Sequence, residues 1–492
     1  MKALAVWLLL GSSAHAAIWY VSASAGSDAT GSGLQSSPFL TLQFALSKAM
    51  PGDRVLVEDG SYAGGLLTGQ GTAGALITIA AIHPGLAILE SSNEPLGIGS
   101  GSAYLVVDGF EVRNSVANTV HVVNAHDITL SNLYVHDAGL ESDVILIEQS
   151  QRIVLEGVQA ARPGMHVGLP PARDCIELVG VTDSTVGGSF IHDGAGVLIE
   201  ARGVSQNIVF ERNVIGDQHD LGDSPPAVGL GGLSASPLPG AAQYEVSGIV
   251  FRNNIVYGAA NGAVGVTDAQ HVAIANNLLL DVDRVGIEFR AGAGGAHASD
   301  DVQVVNTLFV DTRGTMPAPF QRSTDALTNF AASFDVYFNK GALVPPPIGG
   351  VPADTTGRLD IDPGVPAAQV FASWDDAVAA LKPSASGPAV TPGADSSLAP
   401  FEVADDILGL SRGGRRDRGP YGFAVAIDGA TTPDLGPGSD GSDGGSAGNP
   451  GGGFLPAREG CACSLGAEAA SAAGGWLACA GLLLGLFVRR RR

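Results

Sequence analysis

Short apolar runs recur along the middle of the chain in one repeated order: apolar, any residue, apolar, two variable positions, then a second apolar run. The units begin at Leu105, Ile128, Ile153, Ser184, Ile208, Ile249, Val272 and Val302, with spacings of 23, 25, 31, 24, 41, 23 and 30 residues. Two places further on stand Val107, Leu130, Leu155, Val186, Phe210, Phe251, Ile274 and Val304. Seven places on stand Val112, Val135, Ala160, Ile191, Ile215, Val256, Leu279 and Phe309. Alternation with period two within each run predicts strands. A base unit near 23 residues that tolerates insertions predicts a solenoid. The fold class that follows is all-β, a parallel β-helix with these apolar columns inside. Weaker units around Val55 to Val57 and Ile77 to Ile79 bring the total to about ten coils, roughly 48 Å at the usual strand separation.

Two polar columns accompany the apolar ones. Gly109, Asn132, Gly157, Gly188, Arg212, Asn253, Asn276 and Asn306 share the fourth place after the unit start, where a sharp bend between strands is expected. Stacked asparagines there predict a structural ladder. The ninth place holds Asn114, Asp137, Arg162, Asp193, Asp217, Gly258, Asp281 and Asp311. Carboxylates stacked at strand spacing repel unless something lies between them, which makes Asp137, Asp193 and Asp217 candidate Ca²⁺ ligands. The plainer reading of that column is a repeated turn in which each Asp bonds its own backbone. Ahead of the coils, Ser37, Pro38 and Phe39 open a predicted short helix with Leu42, Ala45, Leu46 and Ala49 on one face, placed to cap the exposed strand edges.

The ends have different compositions. Residues 1–16 read as a secretory signal, with Lys2, an apolar stretch from Leu4 to Leu10 and a small-residue cleavage site at Ala14 to Ala16. Signal peptidase acting after Ala16 would leave Ala17 first. Residues 17–312 form the predicted β-helix with its cap, and 313–427 its closing region. Residues 428–459, mostly Gly, Asp, Ser, Pro and Ala, cannot build a core and predict a disordered stalk. Residues 460–492 hold Cys461, Cys463, an apolar stretch from Gly474 to Val488 and four terminal arginines, a pattern that predicts a hydrophobic membrane helix with a cytoplasmic basic end. This order of cysteine motif, hydrophobic segment and Arg cluster resembles the MYXO-CTERM sorting tail. The resemblance implies processing by a sorting protease near Cys461 and Cys463, and display at the cell surface. A plain C-terminal anchor is the alternative.

Composition narrows the function classes. With 45% hydrophobic and 15% charged residues the chain folds. Its net charge of -23 argues against nucleic acid as a partner. Cys175 is the one cysteine of the body and makes no internal disulfide. The four lysines are Lys2, Lys48, Lys340 and Lys382, so no Lys base falls among the coils between Ile77 and Asp311.

Residues 20–62 resemble the opening segment of right-handed parallel β-helix proteins of the pectate-lyase type, on Tyr20-Val21-Ser22, Gly26-Ser27-Asp28, Pro38-Phe39, Ala45-Leu46 and Pro51-Gly52-Asp53. Asp362-Pro363, Pro388-Ala389, Asp406-Ile407-Leu408-Gly409, Arg412 and Gly419-Pro420-Tyr421-Gly422 are similar to the closing segment of the choice-of-anchor Q group, with Gly422 replacing the usual acidic residue. The resemblance implies a right-handed helix. Many such relatives cleave acidic polysaccharides by β-elimination, with a base and a Ca²⁺ ion or Arg to neutralise the substrate carboxylate.

A site is therefore sought on outward positions of the coils with longer loops. Aligning Val144 to Glu148, Cys175 to Val179, Gly196 to Glu200 and Gly286 to Arg290 predicts Glu177 and Glu288 in one outward column and Glu148, Glu200 and Arg290 in a second. Glu177, Glu200, Arg202 and His192 are the candidate catalytic groups. Asp174, His166, Arg290 and Glu288 are the candidate substrate-binding groups. Ordinary solvation of an outward column is the competing explanation. The leading reading is a surface-displayed, carbohydrate-interacting protein with no demonstrated catalysis. A Ca²⁺-assisted polysaccharide lyase or epimerase and a structural or adhesive spacer are the alternatives.

Overall fold

The computed structural model describes residues 16–90, 93–164, 173–220, 222, 225–232, 244–291, 297–390, 392–397 and 399–423. The signal segment before Ala16, the stalk, the apolar tail, Cys461 and Cys463 lie outside the described residues. Among the described residues no helix is long and apolar enough to cross a membrane.

The chain winds into a parallel β-helix of about ten turns, with three sheets of 12, 10 and 12 strands. Each turn runs along a long face, bends at a corner into a short face, crosses a loop to a third face and returns. In one turn these strands are His126–Ser131, Tyr134–His136 and Ile145–Glu148. Every pairing among them is parallel and joins one coil to the next. The predicted register holds: Leu105 pairs with Ile128 and Ile128 with Ile153, and further along Ile249 pairs with Val272 and Val272 with Val302. The seven-place column is equally intact through Val112, Val135, Ala160, Ile191, Ile215, Val256, Leu279 and Phe309. Those columns form one continuous core that also takes in Leu42, Ala45 and Leu46 of the N-terminal helix. That helix spans Leu42–Leu46 and starts at Thr41, whose side chain accepts from the Phe44 N–H. It begins later than Ser37 because Phe39 is engaged in a parallel bridge with Val21.

Every member of the predicted corner column has positive φ, from Gly109 at 79° to Asn132 at 50°. The predicted ladder, however, lies one residue further on. A left-handed residue turns its side chain out of the corner, and the next residue points in. Asn213, Asn254 and Asn277 are buried there, with Asn213 Nδ2 donating to Asn254 Oδ1 at 3.1 Å and Asn254 Nδ2 to Asn277 Oδ1 at 3.2 Å. Ser189 precedes them, its N–H donating to Asn213 Oδ1, and Thr307 follows, its N–H donating to Asp335 Oδ1. The corner asparagines instead face outward to the C-terminal segment: Asn253, Asn276 and Asn306 donate to the carbonyls of Asp405, Asp417 and Ala394.

Strands continue past residue 312 through Ala318–Arg322, Leu327–Ser333 and Val336–Asn339, completing a further coil whose long-face strand carries few branched residues. The remaining described residues then run back as a strap along the outside of the short face. That face is polar on its first coils, with Glu111, Tyr134 and Gln159 in register, and becomes apolar at Phe190, Val214, Ile255, Leu278 and Leu308. Trp374, Ala377, Val378, Leu381, Ile407 and Tyr421 cover the apolar stretch and form a second core. Trp374 Nε1 donates to the Arg212 carbonyl, and the Tyr421 hydroxyl to the Val378 carbonyl. Arg412, buried, donates to Asn253 Oδ1 and the Gly419 carbonyl, while Asp406 accepts from the Leu408, Leu410 and Gly422 N–H groups. The motif residues near the C-terminal end of the body are thus the fastenings of the strap.

Replacing Asn254 with Ala removes the acceptor of the Asn213 backbone N–H and one of the two acceptors of its Nδ2, the other being the Val186 carbonyl. The expected loss is on the order of 2–3 kcal/mol, read as a lower urea midpoint. Asn132→Gly, at an outward left-handed corner, is expected to stay within about 1 kcal/mol of the parent. Equal losses at the two positions would contradict this assignment of the ladder.

Candidate functional site

On the third face, strands Ile176–Val179, Ile199–Arg202, Val228–Leu230, Gly262–Thr267 and Val285–Arg290 stack side by side. Their register places Glu177 beside Glu200, then Gly229, Gly265 and Glu288, all in one outward column. Arg202 shares the neighbouring column with Val179, and Arg290 with Thr267. Glu148 pairs with Val179 and so lies in that second column. The sequence alignment put Glu200 there as well, two residues out of register. A slip of two keeps every inward and outward position unchanged, so alternation alone cannot detect it.

A cleft of about 300 Å³ opens over this face. Asp143, Asp174, Glu177 and Glu200 gather at one end, and Arg290 stands at the other. Gly229 makes room for the Glu200 side chain and Gly265 for the Pro226 ring, each of which a Cβ there would meet within 3 Å; Pro225 and Pro226 line a wall, and Arg173 and Arg202 also face the space. Five predicted residues therefore meet in one place: Glu177, Glu200, Arg202, Asp174 and Arg290. Glu288 is close by, paired to Arg290 at 2.7 Å. Asp143 was missed by sequence reasoning, although a signal was present. Asp143-Val144-Ile145 and Asp174-Cys175-Ile176 repeat the same Asp-x-Ile step, and Ile145 pairs with Ile176.

The geometry at the acidic end is tight. Asp143, Asp174 and Glu177 each offer a carboxylate oxygen within 4.8 Å of the others. Asp143 Oδ1 accepts from the Asp174 N–H at 2.9 Å, and Asp174 Oδ1 from the Val197 N–H at 3.2 Å. Arg202 Nε donates to Glu177 Oε1 and lies 3.4 Å from Glu200 Oε2. Glu177 points out of the coil as predicted, yet it is buried beneath this arginine and the flanking loops. Burial and then the Glu177 charge push Asp143 up to about 7. Burial and then Glu177 push Glu200 up to about 8. Burial, with Glu200, Glu177 and Asp143 adding to it, holds Asp174 well above the usual carboxylate range. For Arg202 burial opposes the charge, but Glu177 and Glu200 outweigh it and keep the guanidinium above its ordinary value.

Other predicted residues lie elsewhere. His192 is on the short face, stacked on Phe190 at 4.2 Å, with Nε2 3.0 Å from Gln159 Nε2. Burial lowers it to about 4, so it is neutral and away from the cleft. His166 lies outside the described residues. Asp137, Asp193 and Asp217 all have positive φ, as turn residues do. They do not form one metal site: Arg162 Nε bonds Asp137 Oδ1 at 2.5 Å and His136 Nδ1 bonds Asp137 Oδ2 at 2.7 Å, which separates Asp137 from the other two. Cys175 is buried, its thiol pushed up by burial.

No known family profile matches the chain, and neither does any curated protein. Among solved structures it is similar to pectate lyase Pel9A, at 14% identity over 83% of this chain and 96% of that one, with a TM-score of 0.53. It is also similar to XylC in complex with xylose (11% identity, 83% and 98% covered, TM-score 0.49). The A-module of mannuronan C-5 epimerase AlgE4 from Azotobacter vinelandii gives 12% identity, 62% and 90% covered, and a TM-score of 0.41. The first likeness establishes the fold, a right-handed parallel β-helix, and at that identity nothing more.

A carboxyl group that is harder to ionise in the folded chain than in the unfolded one favours folding at low pH. For Asp143 and Glu200 that contribution is complete below about pH 4, the unfolded range, and is lost as pH rises through about 7 and about 8. The melting temperature is therefore expected to fall between pH 5.5 and pH 9. Glu200→Gln should reduce that fall by at least about 2 °C in scanning calorimetry. A variant with an unchanged pH profile would mean that Glu200 is hydrated and ionised throughout.

Proposed function

We propose that this cleft binds an acidic polysaccharide with the help of a divalent cation. The observation that carries the reading is the crowding of Asp143, Asp174, Glu177 and Glu200 in a cleft that also holds arginines. Three carboxyls within 4.8 Å of one another suit a hard, oxygen-seeking cation such as Ca²⁺, and burial, with neighbouring carboxylates adding to it, raises Asp143 and Asp174 in its absence. Asp143, Asp174 and Glu177 would hold the ion, which when bound supplies positive charge to a substrate carboxylate. Arg290 and Arg173 neutralise further carboxylates along the polymer. Pro225 and Pro226 offer a sugar ring an apolar wall. The name of pectate lyase agrees with a carbohydrate partner.

A lyase or epimerase reading is favoured by one residue. Glu200, held up to about 8, is matched to proton abstraction at mildly alkaline pH, a role that Lys fills in several lyase families. Arg202 would keep its oxygen in place. The spacer reading finds no support in this cleft.

The setting of the site rests on the sequence. The segment 1–16 would direct export, 17–312 and 313–427 would form the body and its closing region of choice-of-anchor Q type, 428–459 the stalk, and 460–492 a MYXO-CTERM-like tail cut near Cys461 and Cys463 for surface display. This arrangement brings the cleft to extracellular polymers.

Incubating the purified chain with acidic and neutral polysaccharides, with Ca²⁺ or with chelator, tests the reading. Retention of an acidic polymer should require Ca²⁺ and fall at least about tenfold, about 1.4 kcal/mol, in Asp174→Asn and in Arg290→Ala. Retention that survives chelation, or that survives both substitutions, would sink it. Unsaturated uronate products, abolished by Glu200→Gln, would establish the lyase.

A further inference from the structure

Beyond the cleft, the corner between the short face and the third face carries a second group of ligand-type side chains. Asp193 is the last residue but one of the strand Phe190–Gly194, Asp217 lies in the next coil within Val214–Gln218, and His219 follows that strand. His219 Nε2 is 3.0 Å from Asp193 Oδ1, and one donor atom from each of the three residues lies within 4.8 Å of the others. Asp193 and Asp217 are partly buried and His219 is open to solvent on one side. Tyr257 lies beside them. Its ring covers Gly216, where a Cβ would come within 2.3 Å of a ring carbon, and its buried hydroxyl has no hydrogen-bond partner among the described residues. Burial and then the Asp217 carboxylate raise that hydroxyl.

The chemistry differs from that of the cleft. Two carboxylates and an imidazole are a poor set for Ca²⁺, which prefers six to eight oxygens, and a good one for a first-row divalent ion with water in the open positions. Arg162 is no obstacle, since its guanidinium is committed to Asp137 and comes only to 3.8 Å of Asp193 Oδ2, the oxygen that His219 does not touch. We propose that Asp193, Asp217 and His219 bind Zn²⁺ or a similar transition ion, and that this ion fastens the wall of the cleft.

The link to the wall is Gln218, buried between two of the ligands. Its Nε2 donates to the carbonyls of Gly196 and Pro225 at 2.8 and 3.0 Å, and its Oε1 accepts from the Ala260 N–H. Pro225 and Pro226 line the cleft. An ion joining residues 193, 217 and 219 fixes the backbone on both sides of Gln218, and with it the loop that ends in those prolines. Binding replaces the interaction of His219 with Asp193.

Titration calorimetry with Zn²⁺ in excess Ca²⁺ tests this on the full chain carrying Cys461→Ser and Cys463→Ser, which removes the tail thiols as ligands. One saturable Zn²⁺ is expected. Affinity should drop at least about tenfold in His219→Gln and in Asp217→Asn and stay unchanged in Asp137→Asn. Zn²⁺ should also slow hydrogen exchange at the backbone amides of residues 218–220 and of Ala227, which directly follows the two wall prolines. The His219→Gln variant changes a half-exposed side chain and is expected to fold, which its circular dichroism would verify. Absence of saturable binding, or affinity within twofold of the parent in His219→Gln, would overturn the proposal. Neither result would touch Ca²⁺-dependent polysaccharide retention, which depends on separate carboxylates.

Discussion

Parallel stacking in register is the constraint on which everything else in this molecule depends. Each residue sits about 4.8 Å from its equivalents in the coils before and after, with no freedom to move away. For Leu, Ile and Val that proximity is the core. For Asn213, Asn254 and Asn277 it is a chain of amide hydrogen bonds. For Glu177 and Glu200 it is enforced repulsion, since two carboxylates in adjacent coils of one column cannot separate. Burial first, and then this repulsion, raises the cleft's carboxyl groups, and the contact of Arg202 with both glutamates follows from the same register.

Much of the fold was legible because inward columns carry a strong signal. Eight units starting at Leu105 fell into their observed register from apolar periodicity alone, insertions included. Outward positions carry less information. Glu200 was displaced by two residues because a slip of that size leaves the pattern intact, and only the backbone pairing of Glu177 with Glu200 settles it. Asp143 was lost because its loop varies in length from coil to coil, so a window begun at Val144 stopped one residue short. His192 was misplaced by proximity in sequence: it follows Ile191 on the short face, a full corner away from Glu200.

The corner asparagines show how one column can change its task. At Asn132 the amide meets Asp108 of the preceding coil, whereas at Asn253, Asn276 and Asn306 the same outward position binds the carbonyls of the strap. The backbone needs a left-handed residue in both cases. Asparagine meets that need and leaves an amide over, and the strap uses it. This is why the closing motifs around Arg412 and Tyr421 are rich in residues that bond to main chain.

The change of the short face from polar to apolar at Phe190 divides the solenoid into two parts with different histories open to them. None of the strap's hydrogen bonds described above reaches a coil before Phe190, so one could be duplicated or deleted there without moving the strap. Coils after it are counted by the strap: Arg412, Trp374 and the carbonyls of Asp405 and Asp417 each reach a particular coil. Loss of one there would leave the strap a strand spacing out of step with every partner. Variation in length among homologous chains should therefore accumulate on the N-terminal side, with the strapped half acting as a ruler of fixed length.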